Sequence, residues 1–207
     1  MITEKATIKC EAIFSEDRLH RLLWRRVWDK DKACACVIML NPCNADNIVA
    51  DTTTSLVVNN IARLGDYGGV VVVNLFTLLT PKLNFQRMDQ QLNDYSNDIY
   101  IKKAAEECET IILAWGKSVN TNAKIYHRAE QVLALLKPFK EKLRIISDGV
   151  REGIHPLTPT VRSSWTLTNI DAWLVDTKEK AMAREEKEKL SAITTEMDEE
   201  DDTASDT

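Results

Sequence analysis

Apolar residues along the chain gather into four short, nearly unbroken runs at 36–40 (CVIML), 70–75 (VVVVNL), 110–115 (TIILAW) and 143–147 (LRIIS). Runs of this length without polar alternation read as strands covered on both faces. Helical patterns lie between them. Residues 55–64 place Leu56, Asn60, Ile61 and Leu64 at helical spacing and stop at Gly65. Residues 94–108 form a polar-faced helix, and 123–136 a longer one ended by Pro138. Strand and helix in alternation predict an α/β domain: a three-layer α/β/α stack with a central, mainly parallel sheet of about four strands. Ahead of it, residues 7–14 read as an edge strand. Residues 18–28 (RLHRLLWRRVW) read as helix or strand, with Leu22, Leu23 and Trp24 packing inward and the arginines in solvent.

The pattern changes after Val175. A Lys/Glu helix at 178–189 runs into a polyacidic end at 196–206 whose low hydrophobicity and like charges predict disorder. The expected organisation is therefore one domain over residues 1–175, then a charged helix and acidic tail over 176–207. Charge divides along the same line. Residues 176–207 hold 12 acidic against 5 basic residues, leaving 22 basic and 20 acidic in the body. The formal net charge of −5 thus hides a slightly basic body, which suits a nucleic-acid partner without demanding one. No run is long enough to span a bilayer, and the first ten residues lack a signal-peptide stretch, so a cytoplasmic chain acting as a monomer is expected. The five cysteines form no Cys-x-x-Cys pair or Cys/His cluster, which argues for buried thiols and against zinc.

In parallel sheets ligands bind beyond the carboxyl ends of the strands. The residues just past the four runs are Asn41-Pro42-Cys43-Asn44-Ala45-Asp46, Asn74-Leu75-Phe76, Trp115-Gly116-Lys117-Ser118 and, after Asp148-Gly149, His155-Pro156. Asn41 is fixed in a constrained turn by Pro42. Asn41 and Asn74 each offer one acceptor and two donors, and with the His155 imidazole they suit the polar edge of a pyrimidine. Arg25 is the candidate phosphate contact in the basic stretch.

The segments Met39-Leu40-Asn41-Pro42, Val73-Asn74-Leu75-Phe76, Ala114-Trp115-Gly116 and His155-Pro156-Leu157 resemble a family of bacterial and phage proteins without a settled function, over about residues 24–157. Asp51-Thr52 and Asn97-Asp98 fit its pattern too. The motif order is also similar to that of the uracil-DNA glycosylase superfamily, which implies the corresponding fold. It further implies cleavage of the N-glycosidic bond of uracil or a modified pyrimidine in DNA, by base flipping and an oriented water, with no cofactor and no metal. Carried onto this chain, Asn41 would position the water and Asn74 would read the base. His155 would stabilise the departing base. Asp46 would supply the carboxylate that Asn41 is not. Pro42, Phe76 and Tyr67 would contact the base, with Phe76 or Tyr67 as the stacking aromatic, and Trp115, Gly116, Lys117, Ser118 and Arg25 would meet the DNA backbone. The chain departs from that superfamily at Cys43-Asn44 and at Leu157-Thr158-Pro159. A catalytically silent nucleic-acid or nucleotide-binding module is the alternative. A phosphate enzyme on a doubly wound sheet is disfavoured, because neither a Gly-x-Gly-x-x-Gly run nor a Walker loop is present.

Overall fold

A computed structural model describes residues 1–43, 48–86 and 91–204, with side chains to residue 187. In chain order the elements are β1 (Lys9–Phe14), β2 (Arg21–Val27), β3 (Cys34–Met39), α1 (Thr52–Leu64), β4 (Gly69–Asn74), α2 (Asn97–Glu107), β5 (Thr110–Leu113), α3 (Ser118–Thr121), α4 (Ala123–Leu135), β6 (Leu143–Ser147), β7 (Thr166–Thr168) and α5 (Asp171–Ala204). The strands make one seven-stranded sheet in the order β1-β2-β4-β3-β5-β6-β7.

The four apolar runs are the parallel centre: β4 and β5 flank β3, and β6 joins β5. Their residues alternate between two cores. Cys36, Ile38, Val71, Val73, Ile111, Leu113 and Ile145 face α2, α4 and α5. Val37, Met39, Val70, Val72, Ile112 and Ile146 face α1. Helices therefore cover both faces, as unbroken apolar strands require. The expected count of about four strands is corrected to seven. Antiparallel β1 and β2 extend the β4 side, and β7 extends the β6 side. β1 and β7 escape the continuous-run criterion because they are partly exposed, and β2 escapes it because arginines interrupt its apolar residues.

Local signals set the helix ends. The Asp51 carboxylate accepts from Thr54 N at 2.8 Å, and α1 stops at Gly65. Asn122 Oδ1 caps α4 through Ile125 N at 3.1 Å. The boundary expected at residue 175 falls inside α5. Trp173, Thr177 and Ala181 are buried against the body, and the helix continues to Ala204 where a disordered end was expected. Glu, Lys, Ala, Met and Leu, all strong helix formers, fill much of this segment. No helix among the described residues is long and apolar enough to cross a membrane.

Candidate functional site

The order β4-β3-β5-β6 makes the chain leave β3 toward one side of the sheet and β5 toward the other. The crevice between those two strand ends is where open α/β sheets place ligands. A cleft of about 240 Å³ opens at the carboxyl end of β3, lined by residues from after β3, the start of α1, the loop after β4 and the loop after β6 that include Met39, Asn41, Cys43, Asp51, Thr80 and His155.

Each polar group is held by its neighbours. Asn41 Nδ2 donates to Thr80 O at 2.7 Å and to Pro42 O at 3.1 Å, tying the turn after β3 to the loop after β4. Asn41 Oδ1 takes no hydrogen bond from a described residue. Asp51 Oδ1 and Oδ2 each accept one bond from Thr54, leaving further lone pairs for a ligand. His155 is half-buried, and its Nδ1 accepts from Leu157 N at 3.1 Å. That bond needs a lone pair on Nδ1, so the neutral ring carries its proton on Nε2. Burial lowers the His155 pKa, with Asp51 pulling it partly back. The ring is thus kept a neutral donor at ordinary pH.

Gly116 makes this seat possible. Its φ is +73°, and a Cβ there would lie 2.8 Å from His155 Cβ. Beneath the cleft, Arg21 is 1% exposed. Burial pulls its pKa down to about 10, while Asp51 and Cys43 raise it. It stays cationic at neutral pH. A second cavity of about 510 Å³ adjoins at Gly116, running under the loop after β6 to α5.

Of the residues read from sequence, Asn41 and His155 meet in the cleft. Asp46 lies outside the described residues. Asn74 ends β4 on the α1 side, in register with Met39, but is 1% exposed and is not among the cleft's lining residues. Its carbonyl accepts from Asn97 Nδ2 at 3.0 Å, while its own Nδ2 is buried without a partner among the described residues. Pro42 is buried, with its carbonyl in the Asn41 turn. Phe76 packs edge-on against Phe85 at 5.5 Å inside the core.

Tyr67 is corrected outright. It precedes β4 and bonds Thr110 Oγ1 at 2.9 Å, at the amino ends of the parallel strands and away from the cleft. Arg25 is corrected for the same reason: it pairs with Glu107 at the end of α2 and with Glu11, beside the start of β3. The arginines of β2 were expected in solvent, yet Arg21 is the one at the site and it is buried. Trp115 is also corrected. It is 2% exposed and packs against Trp173 at 6.0 Å, so it cannot reach a phosphate. Gly116 and Lys117 line the second cavity, and Ser118 is a half-buried start of α3 whose carbonyl accepts from Asn122 N.

Sequence reasoning missed Asp51 and Arg21 as site residues. An Asp that opens a helix after a carboxyl-edge loop was the available signal for Asp51. Arg21 had none, because β2 starts with four consecutive buried residues and no alternation.

A family model matches residues 21–157, from Arg21 through the His155 loop. The chain belongs to DUF1643. That family is described as a protein of unknown function. No curated protein and no solved structure matches the chain. The DUF1643 span encloses every residue of the cleft, while β1, β7 and α5 fall outside it. Among the described residues no group of three or more His, Cys, Asp or Glu could hold a metal ion. Of the thiols, burial raises Cys36 well above its ordinary value and pushes Cys108 up to about 12.

Proposed function

We propose that this DUF1643 protein is a DNA N-glycosylase that hydrolyses the bond between deoxyribose and uracil or a modified pyrimidine flipped into the cleft. The observation that carries the reading is His155. Its Nδ1 is occupied by Leu157 N–H, its Nε2–H is free to donate, and it shares a cleft with Asp51 and Asn41.

A water oxygen attacks C1′ as the C1′–N bond breaks, and the bonding electron pair leaves with the base. Charge building on the base's carbonyl oxygen is met by the His155 Nε2–H, a preorganised neutral donor. Asp51 orients the water and takes its proton, which passes to the departing base. Asn41 Oδ1 accepts the water's other hydrogen. Asp51 here fills the role that the sequence offered to Asp46. The superfamily-like motif order, the parallel strand order and the slightly basic body support the reading. Flipping costs a few kcal/mol, least for a damaged or mispaired base.

A second reading, a binding module without catalysis, is favoured by one observation: among the described residues no Phe, Tyr or Trp lines the cleft to stack on a base. One experiment separates the two. The protein is incubated with single- and double-stranded oligonucleotides bearing a panel of modified pyrimidines, and alkali then reveals abasic sites. Scission at the modified position, lost in His155→Ala and Asp51→Asn, is expected. Binding without scission across the panel would leave only the module, and neither binding nor scission would remove both readings.

A further inference from the structure

The His155 cleft, at about 240 Å³, is smaller than the roughly 300 Å³ at which small-molecule sites usually begin. A nucleotide whose base fills it must extend elsewhere. The adjoining cavity of about 510 Å³ begins at Gly116, the residue packed on His155.

The polar groups of that cavity are unequally committed. Arg151 is spent on Asp148 through Nε at 3.1 Å and Nη2 at 2.6 Å. Among the described residues Lys180 pairs with Asp176, one turn away on α5, in an exposed pair of marginal worth. Lys117 makes no ion pair among the described residues, and it is exposed at the cavity mouth next to Gly116. Asn120 Oδ1 is buried with no hydrogen-bond partner there, an acceptor awaiting a donor. Glu152 also lines the cavity, but Lys117, adjacent to the Gly116 that packs on His155, is the lining cation without an ion pair among the described residues.

We propose that this second cavity is the phosphate subsite of the ligand whose base occupies the cleft. Lys117 takes the phosphate just across Gly116, Lys180 swings from Asp176 to join it, and Asn120 Oδ1 accepts from a sugar hydroxyl or bridging water. The inference deepens the preceding reading and rests on it for the base. The phosphate could come from a free nucleotide or from a polynucleotide backbone, and α5, outside the DUF1643 span, supplies one wall of the cavity.

The test follows amide signals of the full chain by NMR during titration with inorganic phosphate, dUMP and a short uracil-containing oligonucleotide. Shifts at Lys117, Asn120 and Ser147 are expected, with affinity about tenfold weaker in Lys117→Ala. For the oligonucleotide, the slope of log K against log salt should fall by about one in that variant. Tighter binding of dUMP would identify a monoester ligand, and tighter binding of the oligonucleotide a diester; either supports the subsite. Shifts at none of the three amides with any probe, or shifts that Lys117→Ala leaves unaltered, would overturn it. Failure of the glycosylase reading would look different: the shifts would persist and no scission would appear.

Discussion

The two ends of the parallel strands are built to different rules. At the amino end, side chains tie loose backbone and neighbouring elements together. Lys142 donates to the carbonyls of Ala105 and Cys108 at the end of α2, at 3.0 and 2.8 Å. Tyr67 bonds Thr110, Trp28 Nε1 donates to Tyr67 O, and Arg25 bridges Glu11 and Glu107. Buried side-chain atoms without a partner among the described residues occur at both ends, Arg25 Nε at the amino end and Asn74 Nδ2, Asn120 Oδ1 and Trp115 Nε1 at the carboxyl end. What sets the carboxyl end apart is that two cavities open between its loops. An unpaired polar atom costs stability wherever it lies, whereas one that lines a cavity, as Asn120 Oδ1 does, can be satisfied by a ligand. The amino end is read as scaffold and the carboxyl end as site.

The largest effect expected from testing this division is at His155. His155→Ala should lower scission about 10²–10³-fold, the usual loss for one preorganised donor, with little change in melting temperature. A melting temperature that falls as steeply as the activity would make the ring a packing residue.

Glycines sharpen the comparison next. Gly116→Ala meets left-handed strain of about 1–2 kcal/mol and overpacking of about 1–3 kcal/mol against His155. Gly68→Ala at the amino end would bring its Cβ within 1.9 Å of Asp29 O. Both should destabilise in denaturant titrations. Only Gly116→Ala should also move the His155 titration, read by NMR, toward its ordinary value of 6.5 as the ring is pushed from its seat.

Acid should then act through the same ring. Its pKa is lower folded than unfolded, so between those values the unfolded chain binds more protons. The ring's contribution to stability is present above 6.5 and is lost as pH falls toward the depressed folded value. Activity should fall in the same direction, as the neutral donor becomes charged. A stability profile that is unchanged in His155→Ala between pH 7 and 5 would show that the ring is not the titrating group.

The smallest effect belongs to the scaffold. Tyr67→Phe removes one hydrogen bond, about 1 kcal/mol by chemical denaturation, and should leave scission and base preference untouched. Altered base preference in that variant would break the division between the two ends.

Much of this arrangement could be read along the chain. The four central strands, the edge strand β1, and helices α1, α2 and α4 follow from apolar spacing and end signals. Asn41 and His155 follow from the rule that parallel strands gather their carboxyl ends. The same rule could have excluded Tyr67, which precedes its strand by two residues while Asn74 closes it. Burial of Asn74 and Trp115 was harder to read, because their depth depends on Asn97, on Trp173 of α5 and on the turn of chain above each. Arg21 and Arg25 sit four residues apart in one basic run, roughly 13 Å along a strand. Composition cannot say which of them reaches the site; only the antiparallel pairing of β2 with β4 decides it.

The contact between Trp115 and Trp173, tilted at 45° with centroids 6.0 Å apart, has an optical consequence. Two indoles so close and so inclined couple their electronic transitions and give circular dichroism that neither would give alone. One belongs to the strand end beside Gly116, the other to the helix that walls the second cavity. The chain therefore carries a built-in chromophore pair whose signal reports whether α5 is seated, without any added label.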